Sequence, residues 1–333
     1  MSPALFYTLP AYRPCRGSTA ACPGQPDIGQ PGAGQSAGGP AVAARLRFCD
    51  RPAPWSGRPW AGPLLRHRRD GKTIEATGLL VPVGLALTGE RTLPGIASEN
   101  YWFRRHEAAY RHLREEVAGP RLLEVGAGEG YGSALLAERV PQVLALDYDA
   151  AATVHLARRY PRLAAARANL AALPVAGAAV DTVISLQVIE HVWDHPQFLA
   201  ECHRVLRPGG LLVLSTPNRL TFSPGAGPAD RPVNPFHTHE FTARELCRLV
   251  AGAGFSVLAA RGLFAGPALA ELDRRHGGLV AAQLASEPAD WPAELAADVA
   301  AVGWRDFAVG DDARADLSRL DGSLDLILLA RRP

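Results

Sequence analysis

Short apolar runs alternate with amphipathic stretches over most of the chain after residue 120. The runs at 121–125, 143–146, 163–168, 180–186, 211–215 and 255–260 are bounded by glycine, proline or acidic residues and predict strands. A further run at 323–330 predicts the last one. The intervening stretches 132–140, 150–160, 196–206 and 242–253 predict helices. A charged, aromatic-rich stretch from Ser98 to Val117 predicts one more, stopped by Gly119-Pro120. Short apolar strands alternating with helices predict an α/β fold with a doubly wound parallel sheet, covered on both faces. Roughly sixty residues separate the last two strands, far more than an ordinary connection. The texture around 268–276 and 293–302 is helical, so 262–322 is expected to be a helical insertion.

The N-terminal part reads differently. Residues 1–63 contain 11 Pro and 9 Gly, too many breakers of regular structure for a packed core. Residues 1–84 are therefore expected to be a disordered extension. Residues 1–72 hold nine Arg and one Lys against three Asp, so with a chain total of +2 the remainder carries a net −5. A mildly acidic folded part speaks against an extended nucleic-acid groove, which needs clustered positive charge. No apolar run of about 18 residues occurs, so no membrane span is expected. Five cysteines without CxxC spacing favour neither a disulfide framework nor a zinc site. With no signal-peptide pattern, a reducing, cytoplasmic setting is expected.

The sharpest signal is Glu124-Val125-Gly126-Ala127-Gly128-Glu129-Gly130-Tyr131-Gly132, which follows a predicted strand and opens a helix. Ligands of doubly wound sheets bind outside the carboxyl ends of the strands, where glycines let them approach the backbone. A dinucleotide fingerprint would need glycine where Tyr131 stands, and a phosphate loop would need a Gly-Lys-Ser/Thr that is absent. Asp147 ends the next predicted strand, where a carboxylate can accept from both hydroxyls of a ribose.

This Glu-x-Gly-x-Gly-x-Gly pattern and its following acid resemble motif I of class I S-adenosylmethionine methyltransferases. The resemblance implies a Rossmann-like fold, S-adenosylmethionine as methyl donor, and donor contacts at Glu124, Gly126, Gly128, Gly130, Asp147 and Tyr148. Asn169-Leu170 stands at the family position that meets adenine, with Asn in place of the usual Asp; its amide oxygen can accept from the amino group. Gln187 stands where the family meets the methionine part of the donor. Glu190-His191 follows, and His191 reads either as a packing or as a catalytic residue.

The stretch ENYWFRRH at 99–106 resembles the N-terminal lid helix of many small-molecule methyltransferases, so 85–118 is expected to be a lid segment. There Tyr101 and Arg105 are candidates to meet the donor carboxylate, Arg105 through its bidentate fork. A solvated helix face is the plain alternative. Beyond the fifth strand, 216–241 is expected to be an acceptor loop, because polar loops above such a sheet are where acceptors bind. Asn218 is the candidate to hydrogen-bond an acceptor hydroxyl, and His237 or His239 to take its proton. The His-x-His-Glu run also suggests a metal, but third and fourth ligands at useful spacing are missing, so no metal is expected.

From Leu85 onward the chain resembles bacterial methyltransferases assigned to 6-O-methylglucose lipopolysaccharide biosynthesis. The matching blocks are LTGERTLP, ENYWFRRH, GEGYG, DYD, QVIEH, STPNR, NPFHTHE, LDRRHGG, WPAELAADVAAV and SLDLILLARRP. The resemblance implies methylation of a glucose hydroxyl within an acylated polysaccharide intermediate, hence a small-molecule or oligosaccharide acceptor; residues 1–84 have no counterpart in it. The core motifs are shared with methyltransferases of quinones, lipids and secondary metabolites. A donor-binding protein without catalysis would not need the polar loops at Asn218 and 237–240.

Overall fold

The computed structural model describes residues 90–333, with Leu85 and Thr88 just ahead of them. The extension expected over 1–84 lies outside the described residues. The chain enters through helix α1 (Asn100–Leu113) and then alternates: β1 (Arg121–Val125), α2 (Tyr131–Leu136), β2 (Gln142–Asp147), α3 (Ala150–Arg159) and β3 (Ala164–Arg167). It continues through β4 (Val180–Leu186), α4 (His195–Val205), β5 (Leu206–Pro217), the single turn α5 (Arg219–Phe222), α6 (Ala243–Gly252) and β6 (Ser256–Ala265). The insertion holds α7 (Pro267–Arg275), α8 (Leu279–Leu284), α9 (Ala293–Ala301) and β7 (Phe307–Val309), and β8 (Asp325–Arg331) closes the chain.

Local chemistry sets the helix starts. Asp149 caps α3 by accepting from Ala151 N–H, and Asp194 caps α4 just ahead of Pro196. Thr242 and Glu245 form a reciprocal capping box at α6. Alternate residues of each strand feed opposite faces of the sheet. Leu123, Val125, Leu144 and Leu214 join α4 and α6 in one core, through Phe198, Leu199, Leu246 and Val250. Leu122, Val143, Ile184 and Val213 join α1, α2 and α9 in the other, through Tyr110, Leu136 and Val299. The covering of both faces makes a central strand such as β4 buried at every position.

The strand order is β3-β2-β1-β4-β5-β8-β6-β7. Strands β1 to β5 pair in parallel, as expected, but β8 is antiparallel to both β5 and β6, and β7 is antiparallel to β6. The sheet is therefore mixed rather than parallel throughout, because the insertion returns the chain from the opposite end and β8 slots between its neighbours. The insertion is not wholly helical either, since β7 extends the sheet edge. Strand β5 starts at Leu206, so Pro208-Gly209-Gly210 is an irregularity within the ladder rather than a break before it. Helix α2 stops at Leu136, and the residues to Val140 continue as turns bonded back to Ser133 and Leu136. None of the described helices is long and apolar enough to cross a membrane.

Candidate active site

The chain leaves β1 toward β2 on one side, and β4 lies on the other, so a crevice opens above their carboxyl ends. A cleft of about 240 Å³ lies there, on the scale of a nucleoside rather than of a single ion. Gly126, Gly128, Asp147, Tyr148, Leu170 and Gln187 all line it, which brings together six residues singled out from the sequence. The glycines do different work. A Cβ on Gly126 would overlap Val188, whereas a Cβ on Gly128 would meet nothing nearer than Arg91 Cγ at 3.9 Å. Gly128 therefore presents bare backbone to the cleft at a φ of 58°.

Asp147 ties the two loops at this end together. One carboxylate oxygen accepts from Gly128 N–H at 2.7 Å and the other from Asp149 N–H at 2.8 Å. Each oxygen keeps a further lone pair. Tyr148 is 64% exposed at the rim, with Arg167 over its ring. Gln187 carries a positive φ of 56°, uncommon for a residue with a side chain, and its amide donates to Ser215 Oγ and Asp325.

Three of the expected donor contacts stand away from the cleft. Glu124 is fully buried beneath the glycine turn and accepts from Tyr110 OH at 2.5 Å and from Ser133 Oγ. Burial pushes its carboxyl up to about 7, against the pull of those two hydrogen bonds. It props the turn from below. Gly130 packs against α3, where a Cβ would press on Leu156. Asn169 is exposed, and its amide oxygen is used in a local turn by Ala171 N–H at 3.0 Å.

Helix α1 is also placed differently from expectation. Tyr101 is 2% exposed and belongs to the core. Arg105 is 3% exposed, and both arms of its fork are taken by Asp325 of β8, with the guanidinium over Phe222 at 4.4 Å. A buried guanidinium needs such a partner, so the fork is not available to a ligand carboxylate. The helix contributes His106 to the cleft instead, held near Thr92 Oγ1 at 3.3 Å. Burial and the neighbouring Arg105 push this imidazole down to about 3, so it is neutral. The segment ahead of α1 supplies Glu90, Arg91 and Thr92, whose chemistry no sequence pattern had assigned. Arg91 pairs with Asp149 at 2.8 Å across the mouth.

The acceptor-loop candidates separate sharply. Asn218 is 1% exposed: its oxygen caps α5, and its amide donates to carbonyls of Leu320, Asp321 and Ser323. It anchors the loop and does not line the cleft. His239 packs edge-on against Phe241 and His195, apart from the other candidates. His237 alone of the pair joins a polar cluster. Its Nδ1 bonds Glu240 Oε1 at 2.7 Å, its Nε2 lies 3.0 Å from Asn234 Nδ2, and its ring stacks edge-on against His191. Burial would lower His237, but the carboxylates of Glu240, Glu190 and Glu90 together raise it above its ordinary value. Glu90 stands 3.2 Å from His191 Nε2 and lines the cleft with it. Glu90 and Asn234 were missed because nothing in their local sequence marks them as partners of His191 and His237, whereas Glu240 stands in the His-x-His-Glu run already singled out.

A glycine turn and an acid at the switch point of a doubly wound sheet define a nucleoside-binding α/β protein. Residues 123–214 match the methyltransferase domain family. A probable S-adenosylmethionine-dependent methyltransferase of Mycolicibacterium smegmatis is 52% identical over 256 residues, covering 76% of this chain and 97% of that protein. One of Mycobacterium tuberculosis strain H37Rv is 50% identical over 274 residues, covering 80% and 97%. A ubiquinone biosynthesis O-methyltransferase of Sinorhizobium medicae is 33% identical over 110 residues, 32% of this chain and 44% of that protein. The chain belongs to the S-adenosylmethionine-dependent methyltransferases, and S-adenosylmethionine is its methyl donor. The cleft fits such a donor: open backbone at Gly128, carboxylate lone pairs at Asp147, and an exposed aromatic rim at Tyr148.

Proposed function

We propose that this enzyme methylates a sugar hydroxyl, most specifically a glucose unit of a polymethylated polysaccharide intermediate. The observation that carries the reading is the polar wall of Glu90, His191, Asn234, His237 and Glu240 beside the donor cleft. Such a wall suits an acceptor rich in hydroxyls, whereas a quinol would favour apolar lining. The exposed rings of Trp193 and Phe236 adjoin His191 and His237 in sequence and offer faces for the C–H side of a pyranose. The resemblance of its sequence blocks to methyltransferases assigned to 6-O-methylglucose lipopolysaccharide biosynthesis supports the same choice.

In this reading the bound donor supplies an electrophilic methyl group on a sulfonium. Asp147 and the Gly126–Gly128 turn hold the ribose, while Tyr148 and Leu170 border the adenine. Gln187 meets the methionine part. His237 has its Nδ1 proton fixed on Glu240, so Nε2, which accepts from Asn234 Nδ2 in this structure, receives the acceptor proton once the hydroxyl takes the place of that amide. Residues 85–118 act as the lid, 216–241 as the acceptor loop and 262–322 as a supporting insertion. Holding acceptor and donor in line supplies much of the rate, since the methyl group is already activated.

The test is transfer from methyl-labelled donor to glucan oligomers and, separately, to quinols. Label is expected in the glucan oligomers. Label in quinols alone would overturn the sugar assignment in favour of the activity named for the more distant relatives.

A further inference from the structure

The residues facing one another at the acceptor end have a composition that the proposed methylation does not by itself require: two imidazoles and one carboxylate, converging from three remote segments. Glu90 precedes α1, His191 follows β4, and His237 lies in the loop before α6. One ligand atom from each lies within 4.8 Å of the others. The Glu90 oxygen is 3.2 Å from His191 Nε2 and 3.7 Å from His237 Nε2. Ligands about 2.1 Å from a common divalent ion stand about 3.0–3.4 Å apart in octahedral or tetrahedral arrangements, close to these separations.

The ring orientations add a second, independent observation. His191 Nδ1 lies 3.2 Å from the Phe236 carbonyl and His237 Nδ1 lies 2.7 Å from Glu240 Oε1, so both Nδ1 protons have acceptors. Both Nε2 lone pairs are thereby directed at the same side as Glu90. Fixing the far nitrogen on a carbonyl or carboxylate is how metal-binding histidines are oriented and made more basic. Glu240 is 1% exposed, and its other oxygen has no hydrogen-bond partner among the described residues. A cation in front of His237 would offset that buried charge. Asn234 Nδ2 meanwhile reaches both Glu90 Oε1, at 3.2 Å, and His237 Nε2, at 3.0 Å. This neutral amide holds the two ligand residues together and gives up its bond to His237 Nε2 when an ion takes that lone pair.

The geometry points to a divalent-metal site made by Glu90, His191 and His237, with Glu240 behind it and its open positions facing the donor cleft. Two imidazoles favour a borderline ion such as Zn²⁺, Co²⁺ or Ni²⁺ over Mg²⁺, Ca²⁺ or Mn²⁺. Three protein ligands leave room for two neighbouring oxygens of a sugar, which ties the site to the acceptor class proposed above and rests on that reading only for the acceptor. Loaded, the site makes His237 a ligand instead of a free base. The acceptor O–H then breaks with its proton passing to solvent. The new O–CH₃ bond forms as the S–CH₃ bond breaks, and that electron pair stays on sulfur.

The experiment uses the full chain, stripped with chelator, desalted and titrated with Co²⁺ alone by equilibrium dialysis and visible absorption. One equivalent is expected to bind, with the absorption of a nitrogen-ligated ion. His191→Ala, His237→Ala and Glu90→Gln should each weaken binding at least tenfold, and Glu240→Gln, acting from behind His237, about 10–100-fold. His276→Ala, within the insertion, should leave it unchanged. Thermal unfolding of each variant identifies any that fails to fold, and the two isosteric glutamines carry the test in that case. Absence of saturable Co²⁺ binding, or wild-type affinity in both His191→Ala and Glu90→Gln, overturns the site. Labelled transfer separates this from the acceptor reading. Glucan methylation at full rate by stripped protein that binds no Co²⁺ sinks the metal alone, whereas Co²⁺ binding as expected with no glucan labelling leaves the metal standing and sinks the sugar.

Discussion

The two ends of the cleft are built in opposite ways. The end proposed for the donor comes from nearly contiguous chain: Gly126 and Gly128 after β1, then Asp147 and Tyr148 where β2 ends. The end proposed for the acceptor gathers Glu90, His191, Asn234 and His237 from segments separated by much of the sequence. At the donor end the backbone itself offers the binding surface, so glycine spacing and one acid announce it. At the acceptor end side chains do the work, and their meeting depends on how remote loops pack. A contiguous motif can be read locally, whereas an assembled site cannot.

The largest test of this contrast lies at the assembled end. His237→Ala should lower turnover about 10²–10⁴-fold, while His239→Ala, packed against Phe241, should retain it. Equal losses in both variants would erase the distinction between the two histidines. Next comes the buried ion pair of Arg105 and Asp325, also assembled from remote segments. Arg105→Met leaves Asp325 buried without a countercharge, and denaturant unfolding should register a loss of about 3–5 kcal/mol. Were Arg105 a donor ligand instead, stability would hold and only donor affinity would fall.

At the contiguous end, Asp147→Ala should weaken donor binding by about 1–3 kcal/mol, the range for losing hydrogen bonds to a charged group. Calorimetric titration with S-adenosylmethionine measures it, and unchanged affinity would remove Asp147 from the ribose site. An effect of comparable size, on stability rather than binding, follows from Glu124 beneath the same turn. Its folded value of about 7 exceeds its ordinary 4.5, so the unfolded chain loses the proton first as pH rises. Stability therefore declines across that window and levels off above it, and Glu124→Gln should flatten the decline in unfolding experiments from pH 4 to pH 8, about the span around both values. Smallest of all is Asn169→Ala. With its amide oxygen spent on a local turn, donor affinity should shift by no more than about 0.5 kcal/mol; a tenfold loss would return Asn169 to the adenine site.

Much of the fold was legible because apolar runs and helix caps act over a few residues. The positions of β1, β2 and β4, the start of α6 near Thr242 and the glycine turn at Gly126 and Gly128 all follow from such short-range rules. The reversal of β8 was not legible, since the run at 323–330 is apolar in either direction and only the path of the insertion decides how it pairs. Arg105 and Asn218 show the same limit for side chains. Each has the chemistry to bind a ligand, and each is consumed by an internal partner, Asp325 for one and the 320–323 carbonyls for the other.

The sequence by itself determined a doubly wound α/β methyltransferase core with its glycine turn and the acid that ends β2, because hydrophobic period and glycine placement encode local backbone shape. Only the tertiary structure decided which polar side chains remain free at the acceptor end. A buried polar group must be satisfied, and whether its partner is another side chain or an incoming ligand depends on what the fold brings within about 3 Å of it.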